Sequence, residues 1–214
     1  MNLKRLTSIV AQVMSILLYP LFIPTYGVAL FCYAYSQQVV YMPLAWVLVA
    51  VTGTLILTCI LPITAIAIMM RKGQVTDFQI TDEKERTLPY LYTILGFGFW
   101  CYLMIAILHA PLSIAFISIG ATVAISLVAF INLRWKISAH LTGLGGLTGG
   151  IMSYYLGIGS MPSSGLLSVL FLLSLALMFA RVYVNAHTPY QVCTGWLLGL
   201  SCTTIPYCIY SYVA

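Results

Sequence analysis

The chain has 214 residues, of which 62% are hydrophobic and only 6% charged, with nine Lys and Arg against four Asp and Glu. That balance excludes a soluble globular domain. The formal net charge of +5 does not imply nucleic-acid binding either, because the basic residues fall at the ends of long apolar runs, where they meet lipid headgroups and set topology.

The first apolar run, residues 8–35, carries Pro20 and Pro24 and predicts a kinked or tilted helix. No small-residue cleavage site closes it, so it reads as a membrane anchor rather than a signal peptide. A second span is expected at about 43–70, ending at Arg71 and Lys72, cations that suit a helix C-terminus. The strongly polar segment 71–86 then holds four of the nine basic residues and all four acidic ones, Asp77, Asp82, Glu83 and Glu85. Spans at 89–108 and 111–133 follow as a tight hairpin around His109, which reads as an interfacial residue. Behind a short basic loop with Arg134 and Lys136, His140 opens a glycine-rich fifth span in which Gly145 and Gly149 have the small-xxx-small spacing that lets helix backbones touch. Spans at 165–181 and 189–212 complete an all-α polytopic transmembrane bundle of six to seven spans. A span uses about 20 residues, so one domain, residues 1–214, accounts for the chain.

With helices alternating in direction, the N-terminus and the junctions at 71–86, 134–140 and 181–188 fall on one membrane face with all nine basic residues. The positive-inside rule makes that face cytoplasmic in a multi-pass protein of the cell (inner) membrane. The six cysteines, Cys32, Cys59, Cys101, Cys193, Cys202 and Cys208, have neither Cys-x-x-Cys nor Cys/His ligand spacing. They read as small buried hydrophobes, and no metal or other cofactor is expected. The fifteen tyrosines suit interfacial belts.

Three polar stretches share the basic face: Lys84 to Pro89, Ser138 to His140, and Arg181 through His187 to Gln191. Phosphoryl transfer needs cations and donors around spreading negative charge, a nucleophile, and an acid for the leaving oxygen. Arg86 and Arg181 are suited to bidentate grip on phosphate, and Ser138 offers a hydroxyl and a backbone donor. Thr188-Pro189 reads as an N-cap and first helical residue, which places His187 beside a helix N-terminus that favours an anion. On this chemistry His187 is the nucleophile and His140 the general acid.

The ordering of these stretches resembles the type 2 phosphatidic acid phosphatase superfamily, whose pattern is Lys-x6-Arg-Pro, then Pro-Ser-Gly-His, then Ser-Arg-x5-His-x3-Asp. Carried over by position, Arg86 matches the first motif, Ser138 and His140 the second, and Arg181 and His187 the third with its spacing intact. The resemblance implies a helical core shared with vanadium haloperoxidases and a metal-independent lipid phosphatase working through a phosphohistidine. The implied partners are a lipid phosphate substrate and the membrane lipids. The chain departs from the pattern at Gln79, where the family has lysine, at Pro89, which follows Arg86 by three positions rather than one, at Ile137 and Ala139, and at Gln191, where it has aspartate. Lys84 is then either a substitute phosphate-binding cation or a solvated charge paired with Asp82 or Glu83. Gln191 either orients the His187 imidazole or closes a Thr188-x-x-Gln191 capping box. The rival readings are a family member that binds lipid phosphate without cleaving it, and a small transporter or channel whose Arg and His line a polar path, which calls for ionisable residues at mid-span where this chain has nearly all of them at helix ends.

Overall fold

The computed structural model of the protein describes residues 3–37, 42–78, 80, 83–157 and 161–213. Every regular element among them is helical. The first apolar run breaks into α1 (Leu3–Leu17) and α2 (Ile23–Ser36). Pro20 has no N–H and Pro24 sits in the first turn of α2, so the helix cannot continue through residues 18–22. One consequence matters for the site. The Tyr19 N–H turns to the Ile16 carbonyl (3.2 Å), which frees the Ser15 carbonyl from its usual i+4 partner.

Next, α3 (Leu44–Thr54) runs through a π-helical segment, Leu55–Ile60, into α4 (Leu61–Arg71). Pro62 cannot donate to the carbonyl of Thr58 four residues earlier, and the π turn absorbs that fault within one 28-residue rod. A single 3-10 turn (Glu83–Glu85) leads into α5 (Thr87–Tyr102), which continues as a second π segment, Leu103–Ile107. The hairpin corner follows, with His109 exposed at φ 45°, and then α6 (Leu112–Asn132), α7 (Ala139–Gly157), α8 (Ser164–Tyr183) and α9 (Pro189–Val213).

Five of these rods are long and apolar enough to cross a membrane: Leu44–Arg71, Thr87–Ile107, Leu112–Asn132, Ser164–Tyr183 and Pro189–Ile209. They turn large side chains such as Leu95, Phe130, Leu172 and Leu197 outward, as a lipid-facing surface requires. The 19-residue α7 falls outside this group for a physical reason. Its Leu141, Leu144, Ile151 and Tyr154 are buried along with His140, Thr142, Thr148 and Ser153, and of its large apolar side chains only Met152 and Leu156 are exposed, so most of the helix is enclosed by its neighbours and needs little lipid-facing apolar surface.

The tightest packing is between α7 and α9. Cβ atoms added at Gly145 and Gly149 would run into the backbone carbonyls of Trp196 and Leu200, and at Gly195 and Gly199 into those of Ser138 and Thr142. Each helix therefore presents a glycine pair to the other's backbone. The Gly145/Gly149 contact matches the sequence reading, whereas the reciprocal Gly195/Gly199 pair went unread. Leu141 and Leu144 close the seam with Leu177 of α8 and Val192 of α9.

This seam generates a direct prediction. Gly199→Ala should destabilise the protein by about 3 kcal/mol, as severe overpacking does, while Gly165→Ala, with open space around it, should leave the thermal midpoint in detergent unchanged or raised. Equal midpoints for the two variants would contradict the backbone contact.

Candidate functional site

The loop between α8 and α9 explains why an arginine and a histidine six positions apart act together. Asn185 takes a left-handed conformation (φ 53°), a common way to end a helix. The chain then folds back so that the Arg181 carbonyl accepts from the N–H groups of both Ala186 (3.0 Å) and His187 (3.3 Å). These backbone bonds set the spacing, and both side chains face one cavity.

Behind His187, one atom has two tasks. Gln191 Oε1 accepts from the Thr188 N–H (3.0 Å), while Thr188 Oγ1 accepts from the Gln191 N–H (3.4 Å), completing the capping box. The same Oε1 lies 3.2 Å from His187 Nδ1. Capping and orienting the imidazole are thus simultaneous rather than alternatives. A backbone N–H can only be met by the amide oxygen, so that atom is an acceptor, and the ring nitrogen facing it must carry the proton. Nε2 of His187 is left with a free lone pair.

His140, the second residue of α7, donates from Nε2 to the freed Ser15 carbonyl (3.1 Å) and meets the Tyr19 ring edge-on, centroids 5.5 Å apart. Its Nδ1 is then the position at which a proton can be exchanged with a ligand. Gln12 and Ser15 of α1, with Tyr19 just after it, form a wall of the cavity that the motif reading missed. The available signal was a polar stripe at i, i+3 and i+7 in an otherwise apolar run.

The cavity has a volume of about 480 Å³, and its lining includes Arg86, Lys136, His140, Arg181 and His187. The three polar junctions predicted to share one face therefore do meet at one end of the bundle. Among the described residues the lining contains three cations and no carboxylate. Arg86 is held by bonds from Nε to the Ile80 carbonyl (2.9 Å) and from Nη1 to Asn132 Oδ1 (3.2 Å). Asn132 is itself fixed by the Val128 carbonyl (2.9 Å) and the Tyr90 hydroxyl (3.3 Å). Arg181 is only 7% exposed, and its Nε has no hydrogen-bond partner among the described residues.

Two expected site residues stand elsewhere. Ser138 is fully buried, its Oγ has no partner among the described residues, and its N–H is already given to the Gln191 carbonyl (3.3 Å). It acts as the link between α7 and α9, and its side chain is not in the cavity lining. Lys84 is exposed on the 3-10 turn and lines a separate recess with Arg86, Tyr90 and Asn132. Its expected pairing with Asp82 or Glu83 concerns side chains outside those described. Lys136, by contrast, joins the cavity. Among the described residues no group of three His, Cys, Asp or Glu could hold a metal ion.

Burial and the cations both act on His187. Burial, the largest cause, and then Arg181, with smaller contributions from Lys136 and Arg86 and the Gln191 bond opposing, together draw its pKa from 6.5 down to about 4. His187 is therefore neutral at pH 7. Comparison with protein-family models, with curated proteins and with solved structures finds no match, so the functional reading rests on this geometry.

The folded value lies below the unfolded one, so the contribution of neutral His187 to stability is complete above about pH 6.5 and is lost as the pH falls toward about 4. Nitrogen-15 NMR of the imidazole in detergent should find Nδ1 protonated and Nε2 bare at neutral pH, with titration well below 6.5. A proton on Nε2, or titration near 6.5, would contradict the arrangement.

Proposed function

We propose that the protein is a membrane-embedded phosphatase that hydrolyses a lipid phosphate monoester or a lipid pyrophosphate through a phosphohistidine on His187. The observation that carries this reading is the buried Arg181, whose Nε has no hydrogen-bond partner among the described residues and which lines one cavity with His140 and His187. Buried cations are costly unless an anion meets them. A phosphate group supplies that anion, and Arg181 and Arg86 supply planar donors suited to its oxygens.

In the proposed reaction, the lone pair on His187 Nε2 attacks phosphorus in line with the leaving oxygen. The N–P bond forms as the P–O bond to the lipid breaks. The substrate enters with one phosphate oxygen protonated; that proton moves to Nδ1 of His140, whose Nε2–H stays on the Ser15 carbonyl, and from there to the departing oxygen. Nδ1 then takes a proton from water, whose oxygen attacks phosphorus, and the N–P bond breaks to return neutral His187 and inorganic phosphate. Gln191 accepts from Nδ1–H of His187 throughout, without bringing the formal charge that an aspartate would. The finer architecture belongs to the same proposal: α1 and α2 as one broken span, α7 as an interior span, seven in all around a phosphatase-type helical core, and the cationic end on the cytoplasmic side.

Release of inorganic phosphate from a panel of lipid phosphates by detergent-purified protein tests the reading. His187→Ala should abolish it. His140→Ala should slow alkyl phosphates by about 10²- to 10⁴-fold, the range of general acid catalysis, and aryl phosphates much less. Gln191→Ala should lower both rate and stability, the latter by about 0.5–2 kcal/mol as cap loss does, whereas Gln191→Glu should keep the cap and raise the rate. Wild-type rates in His187→Ala would end the phosphatase reading.

A further inference from the structure

Building on that phosphatase reading, we propose that the substrate carries its phosphate on a single hydrocarbon chain, and that this chain is housed inside the bundle in an apolar chamber behind the phosphate cavity. The chamber has a volume of about 110 Å³ and shares Pro20, Ile125 and Ala139 with the cationic cavity. Ala139 adjoins His140, so the chamber begins next to the residue proposed to protonate the leaving oxygen. Along α7 its lining runs from Ala139 to Leu147, eight residues or about 12 Å of helix rise. Phe31, Phe97 and Trp100 form part of its wall, and small residues such as Gly143, Gly146 and Ala121 leave the space open.

The chemistry of the wall selects the occupant. Six hydroxyl residues line the chamber, and each one donates to a backbone carbonyl four residues earlier: Thr54 to Ala50 (2.6 Å), Thr58 to Thr54 (2.8 Å), Ser118 to Ile114 (2.9 Å), Thr122 to Ser118 (2.9 Å), Thr142 to Ser138 (3.0 Å) and Thr203 to Gly199 (3.1 Å). The Trp100 N–H is likewise spent on Thr54 Oγ1 (2.8 Å). Every hydroxyl and indole donor in the wall is engaged, so the chamber offers a guest methyl groups, methylenes and ring faces. An ion or polar solute gains nothing by entering, which also argues against a conducting path beyond the cavity. A cavity of about 150 Å³ lined by Leu, Ile and Phe stays dry and takes up benzene, so this smaller chamber suits one slim chain. Two chains joined at a glycerol would not fit side by side.

The test uses butyl, hexyl and octyl phosphate as dissolved monomers, phenyl phosphate as a chain-free substrate, and a two-chain phosphatidic acid. For wild-type protein kcat/KM should rise by up to about fourfold per methylene, equivalent to about 0.8 kcal/mol, and level off once the chamber is filled, and the two-chain lipid should be cleaved more slowly than a single-chain phosphate of equal length. Ala121→Phe, which fills the chamber, should flatten the chain-length dependence while phenyl phosphate turnover and the thermal midpoint hold. Should that variant fail to fold, an alkyl phosphate with a terminal diazirine, photolysed on His187→Ala, should label Phe31, Trp100 or Ile117. A flat wild-type profile, a preference for two chains, or labelling confined to outward residues such as Leu95 and Phe130 overturns the proposal, while phosphate release leaves the phosphatase reading standing. Conversely, no release from any substrate with the label still inside overturns the phosphatase reading and keeps the chamber as a hydrocarbon site.

Discussion

Backbone-to-backbone contact between α7 and α9 fixes the distance between the two histidines. Gly145, Gly149, Gly195 and Gly199 remove the side chains that would hold these helices apart, and the Ser138 N–H to Gln191 carbonyl bond joins their N-terminal ends. His140 is the second residue of one helix and His187 stands two residues before the other. An extra methyl group anywhere along the seam would displace both, because closely packed helices cannot absorb it locally. The glycine-rich character of α7 follows from the same constraint, and only toward its C-terminal end do large apolar side chains, Met152 and Leu156, turn outward.

The electrostatics of the cavity extend that constraint. Three cations share a partly buried space with no carboxylate among the described residues, an arrangement in which attraction to a bound anion is strong because little water screens it. Burial, aided by the same cations, holds His187 neutral, and the doubly used Gln191 oxygen leaves the free lone pair on Nε2. Charge, tautomer and helix cap thus converge on one side chain. An anion would gain from all three, and from the helix N-terminus that follows His187.

Much of this was legible in the sequence because it is local. The Arg181-x5-His187 spacing is closed by backbone bonds within seven residues, the Thr188-x-x-Gln191 box is a short-range pattern, and Pro20 and Pro24 announce the break in the first run. What stayed hidden depends on long-range packing. No spacing rule tells that Ser15, 125 residues before His140, offers it a carbonyl, or that Lys136 turns into the cavity while Lys84 turns away. Ser138 shows the opposite error. A serine two positions before a histidine reads as a phosphate ligand, but its position at the α7–α9 contact sends the hydroxyl into the core and commits the N–H to Gln191. Five helices are long and apolar enough to cross a membrane, against the six to seven spans expected: the first run is divided at Pro20 into helices of 15 and 14 residues, and α7 carries too many glycine and hydroxyl residues to be counted with the five.

The central claim is that Nε2 of His187 becomes covalently bonded to phosphorus. Rapid acid-free quenching of the protein during turnover of a phosphorus-32-labelled single-chain lipid phosphate, followed by peptide mapping, measures it directly. The account predicts label on the peptide containing His187, attached at Nε2, stable in alkali, labile in acid and lost on chase with unlabelled substrate. Turnover with no labelled protein, or label on Nδ1 or on any other residue, would contradict it.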